Sequence, residues 1–336
     1  MTQAVGSPFL ISLFSLENLS SKQKIYLLFW YSMIRKVGTR MNVSAIIKLT
    51  ISMAIFGSIG FFTIHTGIPA LELVFVRCIC ATLFLSAMWY FTGGHKTEAW
   101  NKREVLQTLL CGVFLVLNWV FLFKAFEEMA ISITISIYNS APIFVLILGT
   151  LFLKERLTIR NVFAIAICFI GSILIVGIES FQSIDQLIDS GFIWALLSAI
   201  CYALTMFTSK TLHNLSPYAT TFLQTIVGIV MLLPLCDFTV FEGLTTSNWL
   251  YIIGTGVIHT GFVYYLFFDS IRTLPTIVVS VLTFVDPVVA ILLDIIILAF
   301  SPSLFQSVGI LLVFGGIILT LVKPKKEVKS TAGNSF

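Results

Sequence analysis

Two stretches decide the fold of this chain: ISITISIYNSAPIFVLILGTLFL (131–153) and PTIVVSVLTFVDPVVAILLDIIIL (275–298). Each is apolar over a length that, at 1.5 Å per helical residue, crosses the roughly 30 Å hydrocarbon layer of a bilayer. Each also carries a proline at its middle, Pro142 and Pro287, whose ring removes a backbone donor and breaks the helical ladder. Sliding the chain by 145 residues superposes the two prolines, and with them Phe123 on Phe268, Phe169 on Phe314 and Gly171 on Gly316. The chain therefore reads as an internal repeat.

Working outward, apolar runs of spanning length occur at 44–64, 72–92, 105–124, 131–153, 160–177, 191–210, 218–236, 248–267, 275–298 and 303–322. They group into two five-helix units, 44–177 and 191–322, joined by an extracytoplasmic loop at 178–190. An odd number of crossings per unit brings the second copy into the membrane from the opposite face. The predicted fold class is thus an all-α integral membrane protein of ten transmembrane helices built as two inverted five-helix repeats. That architecture lets two half-bundles rock about a site near the bilayer midplane.

Composition agrees. Apolar residues make up 58% of the 336 and charged residues 11%, with 31 Phe, against roughly 45–50% and 25% in ordinary globular chains. Too little polar material exists to coat a water-soluble particle of this size. Soluble enzyme, secreted disulfide scaffold and disordered chain are excluded. Cys78, Cys80, Cys111, Cys168, Cys201 and Cys236 fall inside or at the edge of apolar runs without CxxC or Cys/His ligand spacing, so neither a metal site nor a disulfide framework is expected. No cofactor is called for.

The basic residues set the orientation. With the N-terminus in the cytoplasm, seventeen of the twenty Lys and Arg fall on the cytoplasmic side. The opposite side holds Lys124 and eight acids, among them Glu72, Glu127, Glu128, Asp237 and Glu242. Both termini are therefore expected in the cytoplasm, with the protein in the plasma (inner) membrane. The tail 323–336 reads as a basic anchor rather than a nucleic-acid patch. Residues 1–43 form a cytoplasmic N-terminal extension whose IYLLFWYSMI (25–34) is too short to span and lacks a small-residue cleavage site. An amphipathic surface segment and a gene-model extension ahead of a start at Met41 both fit, and the second is favoured.

Polar groups in the spans are costly and mark candidate sites; on insertion scales a central charge costs about 2.5–3.5 kcal/mol. Asp286 lies at the middle of the ninth span, directly before Pro287. It reads as a proton-titrating or amine-binding carboxylate, or as a protonated packing acid. His259 lies at similar depth and suits a proton relay paired with Asp286, or simple packing. Arg77, in the second span, has a fork suited to a carboxylate; snorkelling to the interface or a pair with Glu72 explains it equally. Asp294, eight residues past Asp286, reads as a gate, as a partner of Arg77 or, the favoured reading, as an acid solvated at the interface, and Lys48 is expected to snorkel. The fourth span carries Ser132, Ser136, Asn139 and Ser140 as one stripe, answered in the ninth by Thr276, Ser280 and Thr283. These line a path or bond back to their own helices. Asn118, Trp119, Tyr138, Tyr202 and Tyr264 lie near the same depth as cavity walls or core. Lys154-Glu155-Arg156 is expected to close the end of the fourth span electrostatically.

Several of these residues together carry a family resemblance: Pro142 followed by LFLKERLT (151–158), the pair Asn118–Trp119, Arg77 and Pro287. Over 44–322 the chain resembles the drug/metabolite transporter superfamily in its ten-helix EamA branch. It departs from that pattern in having Phe56–Gly57 where Trp-Gly is usual, and in Phe300 standing where the repeat would place a second Glu155. The resemblance implies exporters and importers of small polar metabolites, often amino acids. It also implies a central cavity walled by helices 1–4 and 6–9, with helices 5 and 10 peripheral. The expected function is a secondary active transporter of small polar organic metabolites, with export favoured. An uptake or exchange carrier for a larger solute such as a nucleoside-derived cofactor is the sibling reading. A channel or a membrane-embedded enzyme is the alternative class, though no GxxxxGK[ST], HExxH or GxSxG is present. Its partners would be the small-molecule substrate and the lipid bilayer, not nucleic acid; a homodimer is left open.

Overall fold

A computed structural model describes residues 42–128, 131–155, 157–176, 190–297 and 301–322. The N-terminal extension up to residue 41, the loop 178–189, the tail 323–336, Arg156 and Phe300 lie outside the described residues. Among those described, ten helices are long and apolar enough to cross a membrane. They are α1 (Val43–Thr63), α2 (Ala70–Phe91), α3 (Lys102–Glu128), α4 (Thr134–Phe152), α5 (Ile159–Val176), α6 (Gly191–Lys210), α7 (Pro217–Leu235), α8 (Thr246–Ile271), α9 (Thr276–Ile297) and α10 (Leu304–Leu321). The chain is a multi-pass membrane protein. Large apolar side chains such as Leu83, Ile147, Phe163 and Leu311 are exposed on the outside of the bundle, as a lipid-facing belt requires.

The helices begin where local chemistry ends a connection. Ser216 caps α7 by accepting from the Ala219 N–H at 3.2 Å, with Pro217 in the first turn. Thr245 and Asn248 form a reciprocal capping box at the start of α8. Span α3 runs several residues past its expected limits at both ends. Its extra first turn puts Glu104 where its carboxylate accepts from the backbone N–H groups of His213, Asn214 and Leu215.

Small residues set the closest approaches, as in membrane bundles generally. Helices α5 and α10 pack along each other. A Cβ on Gly171 would lie 2.8 Å from the Gly309 carbonyl oxygen, and one on Gly309 2.6 Å from that of Gly171. Helix α3 packs on α6 and α7, and α2 on α7 and α8.

Four spans are irregular at mid-depth. Helix α1 stops at Gly57 and restarts at Ile59. The fourth span, whose helix begins at Ile131, ahead of the start given above for α4, consists of Ile131–Tyr138 and Ala141–Phe152, separated at Asn139–Ser140. Helix α9 consists of Thr276–Leu282 and Val285–Ile297, separated at Thr283–Phe284. The breaks in α4 and α9 fall just ahead of Pro142 and Pro287, where the missing N–H leaves the ladder open. In α8 the stretch Thr255–Phe262 winds as a π-helix, an i→i+5 form that is rare and concentrated at functional sites. No break near Asp286's depth is matched in the first repeat by an acid: Ala141 stands 145 positions earlier.

The two ends of the bundle differ. At the end bearing Lys102, Lys210 and Arg272, which we call the basic face, the second piece of α4 packs on the first piece of α9. A Cβ on Gly149 would meet the Thr276 side chain at 2.7 Å. Glu155 then reaches from beyond α4 to the start of α9: its carboxylate accepts from the Thr276 N–H at 2.9 Å and from the Thr276 hydroxyl at 2.6 Å. Lys210 at the end of α6 pairs with the same carboxylate at 3.2 Å and also donates to the Leu274 carbonyl. Glu155 was expected to act on its own helix; it closes a neighbouring one instead. No comparable packing joins Ile131–Tyr138 to Val285–Ile297 among the described residues.

Candidate functional site

The breaks converge on Asp286. It is the second residue of the second piece of α9, and the residue is half-buried although it lies at the middle of the span. No hydrogen bond or ion pair to its carboxylate is found among the described residues. Its backbone carbonyl abuts Gly57 at the break in α1, where an added Cβ would collide with it. Three phenols, Tyr138, Tyr202 and Tyr264, are within electrostatic reach of the carboxylate.

An aromatic wall surrounds this acid. Tyr138 and Tyr202 stack at 5.4 Å between centroids, 21° from parallel. Trp119 meets Tyr264 edge-on at 6.2 Å, and Phe56 meets it edge-on at 5.0 Å. Phe56, which replaces the usual Trp of this position, therefore fills an aromatic contact. Asn118 serves packing: its amide donates to the Ser198 carbonyl and hydroxyl at 3.0 and 2.9 Å, and the Ser198 hydroxyl donates back to the Asn118 carbonyl at 2.9 Å. It clamps α3 to α6, with the Tyr138 hydroxyl beside its side chain.

The polar stripes divide. Ser136 is buried in the first piece of α4. The Thr283 hydroxyl donates back to the Val279 carbonyl at 3.0 Å, as self-bonding in an apolar helix dictates. In contrast, Asn139 Nδ2, Ser140 Oγ and Ser280 Oγ are buried with no hydrogen-bond partner among the described residues, around the two proline breaks. Unpaired buried polar atoms cost about 1–3 kcal/mol each unless a ligand or water meets them.

His259 does not pair with Asp286. Its Nε2 is 3.0 Å from Ser58 Oγ at the break in α1, its ring lies against Phe62 at 4.9 Å, and its Nδ1 is buried without a partner among the described residues. Nor does Arg77 pair with Glu72 or reach the interface. It is 6% exposed, and its Nε donates to Thr260 Oγ1 at 2.9 Å. Glu72 instead accepts from the Asp237 N–H at 3.2 Å. Asp294 is exposed near the end of α9, and Lys48 is held by Asp269 at 2.5 Å rather than snorkelling alone.

The π-segment was not foreseen. Its signal is the five-residue spacing of Gly256 and Gly261, which both face α2: added Cβ atoms would meet Cys80 and Phe84 respectively. In an α-helix residues five apart diverge by about 140°; i→i+5 winding stacks them on one face.

The family model for the EamA-like transporter family matches residues 43–177 and again residues 189–322. The chain belongs to the EamA-like transporter family. Within this part of the drug/metabolite transporter superfamily, it is 52% identical over 296 residues to "Uncharacterized transporter YxxF" of Bacillus subtilis, spanning 88% of this chain and 95% of that one. It is 25% identical over 314 residues to "Uncharacterized transporter YetK" of the same organism, spanning 87% and 92%. A solved crystal structure superposes with a TM-score of 0.74 at 17% identity, covering 83% of this chain and 99% of that one. At that identity the likeness speaks for the fold alone. The double match accords with the two-repeat fold of the EamA-like family and with the paired proline breaks.

Proposed function

We propose that this EamA-like protein is a secondary active transporter of small polar organic metabolites, amino acids or related compounds. It works by alternating access in the plasma membrane, with the basic face in the cytoplasm and export the favoured direction. The observation that carries this reading is Asp286: a half-buried residue at mid-span whose carboxylate has no hydrogen-bond or ion-pair partner among the described residues, set at a helix break within electrostatic reach of three phenols. Such an acid takes up a proton or a substrate ammonium in one state and gives it up in the other. The basic-face packing of α4 on α9, sealed by Glu155, supports a state open toward the opposite end of the bundle. The placement of basic residues supports the orientation, and the family supports transport rather than catalysis.

Uptake of a panel of labelled amino acids and metabolites into proteoliposomes containing the full chain tests this, with and without an imposed pH gradient. Saturable flux that is driven by the gradient and lost in Asp286→Asn is the expected result. Gradient-independent flux that survives in Asp286→Asn reduces the residue to packing and refutes the proton-coupled mechanism.

A further inference from the structure

Arg77 is a buried cation of whose five N–H donors one, at Nε, is spent among the described residues. It sits at the eighth position of α2, about 10 Å inside the helix end by rise. Its Nε is fixed by Thr260, and the Thr260 hydroxyl in turn lies 3.5 Å from the Thr255 carbonyl, five residues back along the π-segment. Regular α-winding would carry Thr260 off this face, so the π-turn is what aims the guanidinium. Nη1 and Nη2 donate to no described residue. No salt bridge to Arg77 exists among the described residues, since the nearest acid in sequence, Glu72, is occupied by the Asp237 backbone. A guanidinium held in a low-dielectric interior without a counter-charge is costly, and its two free nitrogens present the planar fork that a carboxylate fills.

We propose that Arg77 is the anion-binding point of the central site and takes the carboxylate of a monoanionic or zwitterionic solute. A single charge is specified because the other described Lys and Arg of the spans, Lys48, Lys102, Arg103, Lys124, Arg160 and Lys210, all lie within six residues of a helix end, leaving one such charge at this depth. Tyr264 is in electrostatic reach of both Arg77 and Asp286. A solute whose carboxylate sits on Arg77 therefore extends past Tyr264 toward the acid, which receives its amine or hydroxyl. The meaning of this point for transport rests on the carrier reading above; the binding itself does not.

Three isosteric probes test it: propionate, propionamide and n-propylamine, added at matched ionic strength to the purified full chain in nanodiscs, with the thermal unfolding midpoint as readout. Propionate is expected to raise the midpoint of the wild type where propionamide does not. Its half-effective concentration should rise at least tenfold in Arg77→Gln. Arg77→Lys and Thr260→Val, which keep a charge but lose the fork or its aim, should fall between. Equal stabilisation of the wild type by propionate and propionamide overturns the proposal, and that comparison stands even if Arg77→Gln fails to fold. A folded Arg77→Gln that responds to propionate like wild type also overturns it. A propionate response in a protein that shows no flux removes the carrier reading and keeps this site; flux without carboxylate preference does the reverse.

Discussion

Replacing Glu155 by Gln should loosen the basic face without unfolding the protein. The carboxylate accepts from the Thr276 N–H and hydroxyl and pairs with Lys210, whose side chain is 13% exposed. Hydrogen bonds to a charged group contribute about 1.5–3 kcal/mol, against about 1 kcal/mol for a neutral one. Gln keeps one acceptor for Thr276, and Lys210 keeps the Leu274 carbonyl, so the net loss is about 2 kcal/mol. At 1.4 kcal/mol per decade that shifts the closed-to-open ratio at this end about 30-fold. A state closed about 100:1 would become closed about 3:1, a population that is directly visible. Spin labels at the exposed Leu151 and Thr273, on the two sides of the contact, report it as a second, longer distance in double electron–electron resonance. Cys80 and Cys236 would be replaced for labelling, while the four buried cysteines stay. An unchanged distance distribution in a folded Glu155→Gln protein would refute the assignment of this contact as the closure.

Two further outcomes test the packing. Gly256→Ala forces a Cβ into Cys80 and to 3.3 Å from the Arg77 Cα; overpacking of this kind costs about 1–3 kcal/mol, seen as a lowered unfolding midpoint that Cys80→Gly partly restores. Asn118→Ala removes the two amide hydrogen bonds to Ser198, for a loss of about 2 kcal/mol in stability at about 1 kcal/mol each, while substrate affinity in whatever protein folds stays near wild type. A selective loss of affinity with full stability would move Asn118 from packing into the site.

The spans, the prolines and the position of Asp286 were all legible because each depends on a local property. Length and apolarity alone bring a segment into the bilayer, a proline breaks its helix wherever the helix lies, and an acid at mid-span is costly in any arrangement. The partners of the polar residues were not legible. Arg77 was weighed against Glu72 and His259 against Asp286; the bundle gave them Thr260 and Ser58. Each of these contacts joins residues about 180 or more positions apart, and sequence spacing carries no record of which helices become neighbours. Glu155 was read within its own helix because its reach to Thr276, 121 positions away, exists only once α4 and α9 have packed.

By itself the sequence determined that this is a ten-span membrane protein, that it is doubled, where its fourth and ninth helices break, and which charged groups are left in the interior. These follow from the one-dimensional cost of placing each residue in hydrocarbon. The tertiary structure alone decided the π-winding of α8, the closure of one face and the pairing state of each interior charge. Those depend on interhelical distances of a few ångströms, set by how closely glycines such as Gly149 and Gly256 let neighbouring helices approach. A hydrogen bond or an unpaired guanidinium is a statement about those distances, and it is there that the chemistry of the site resides.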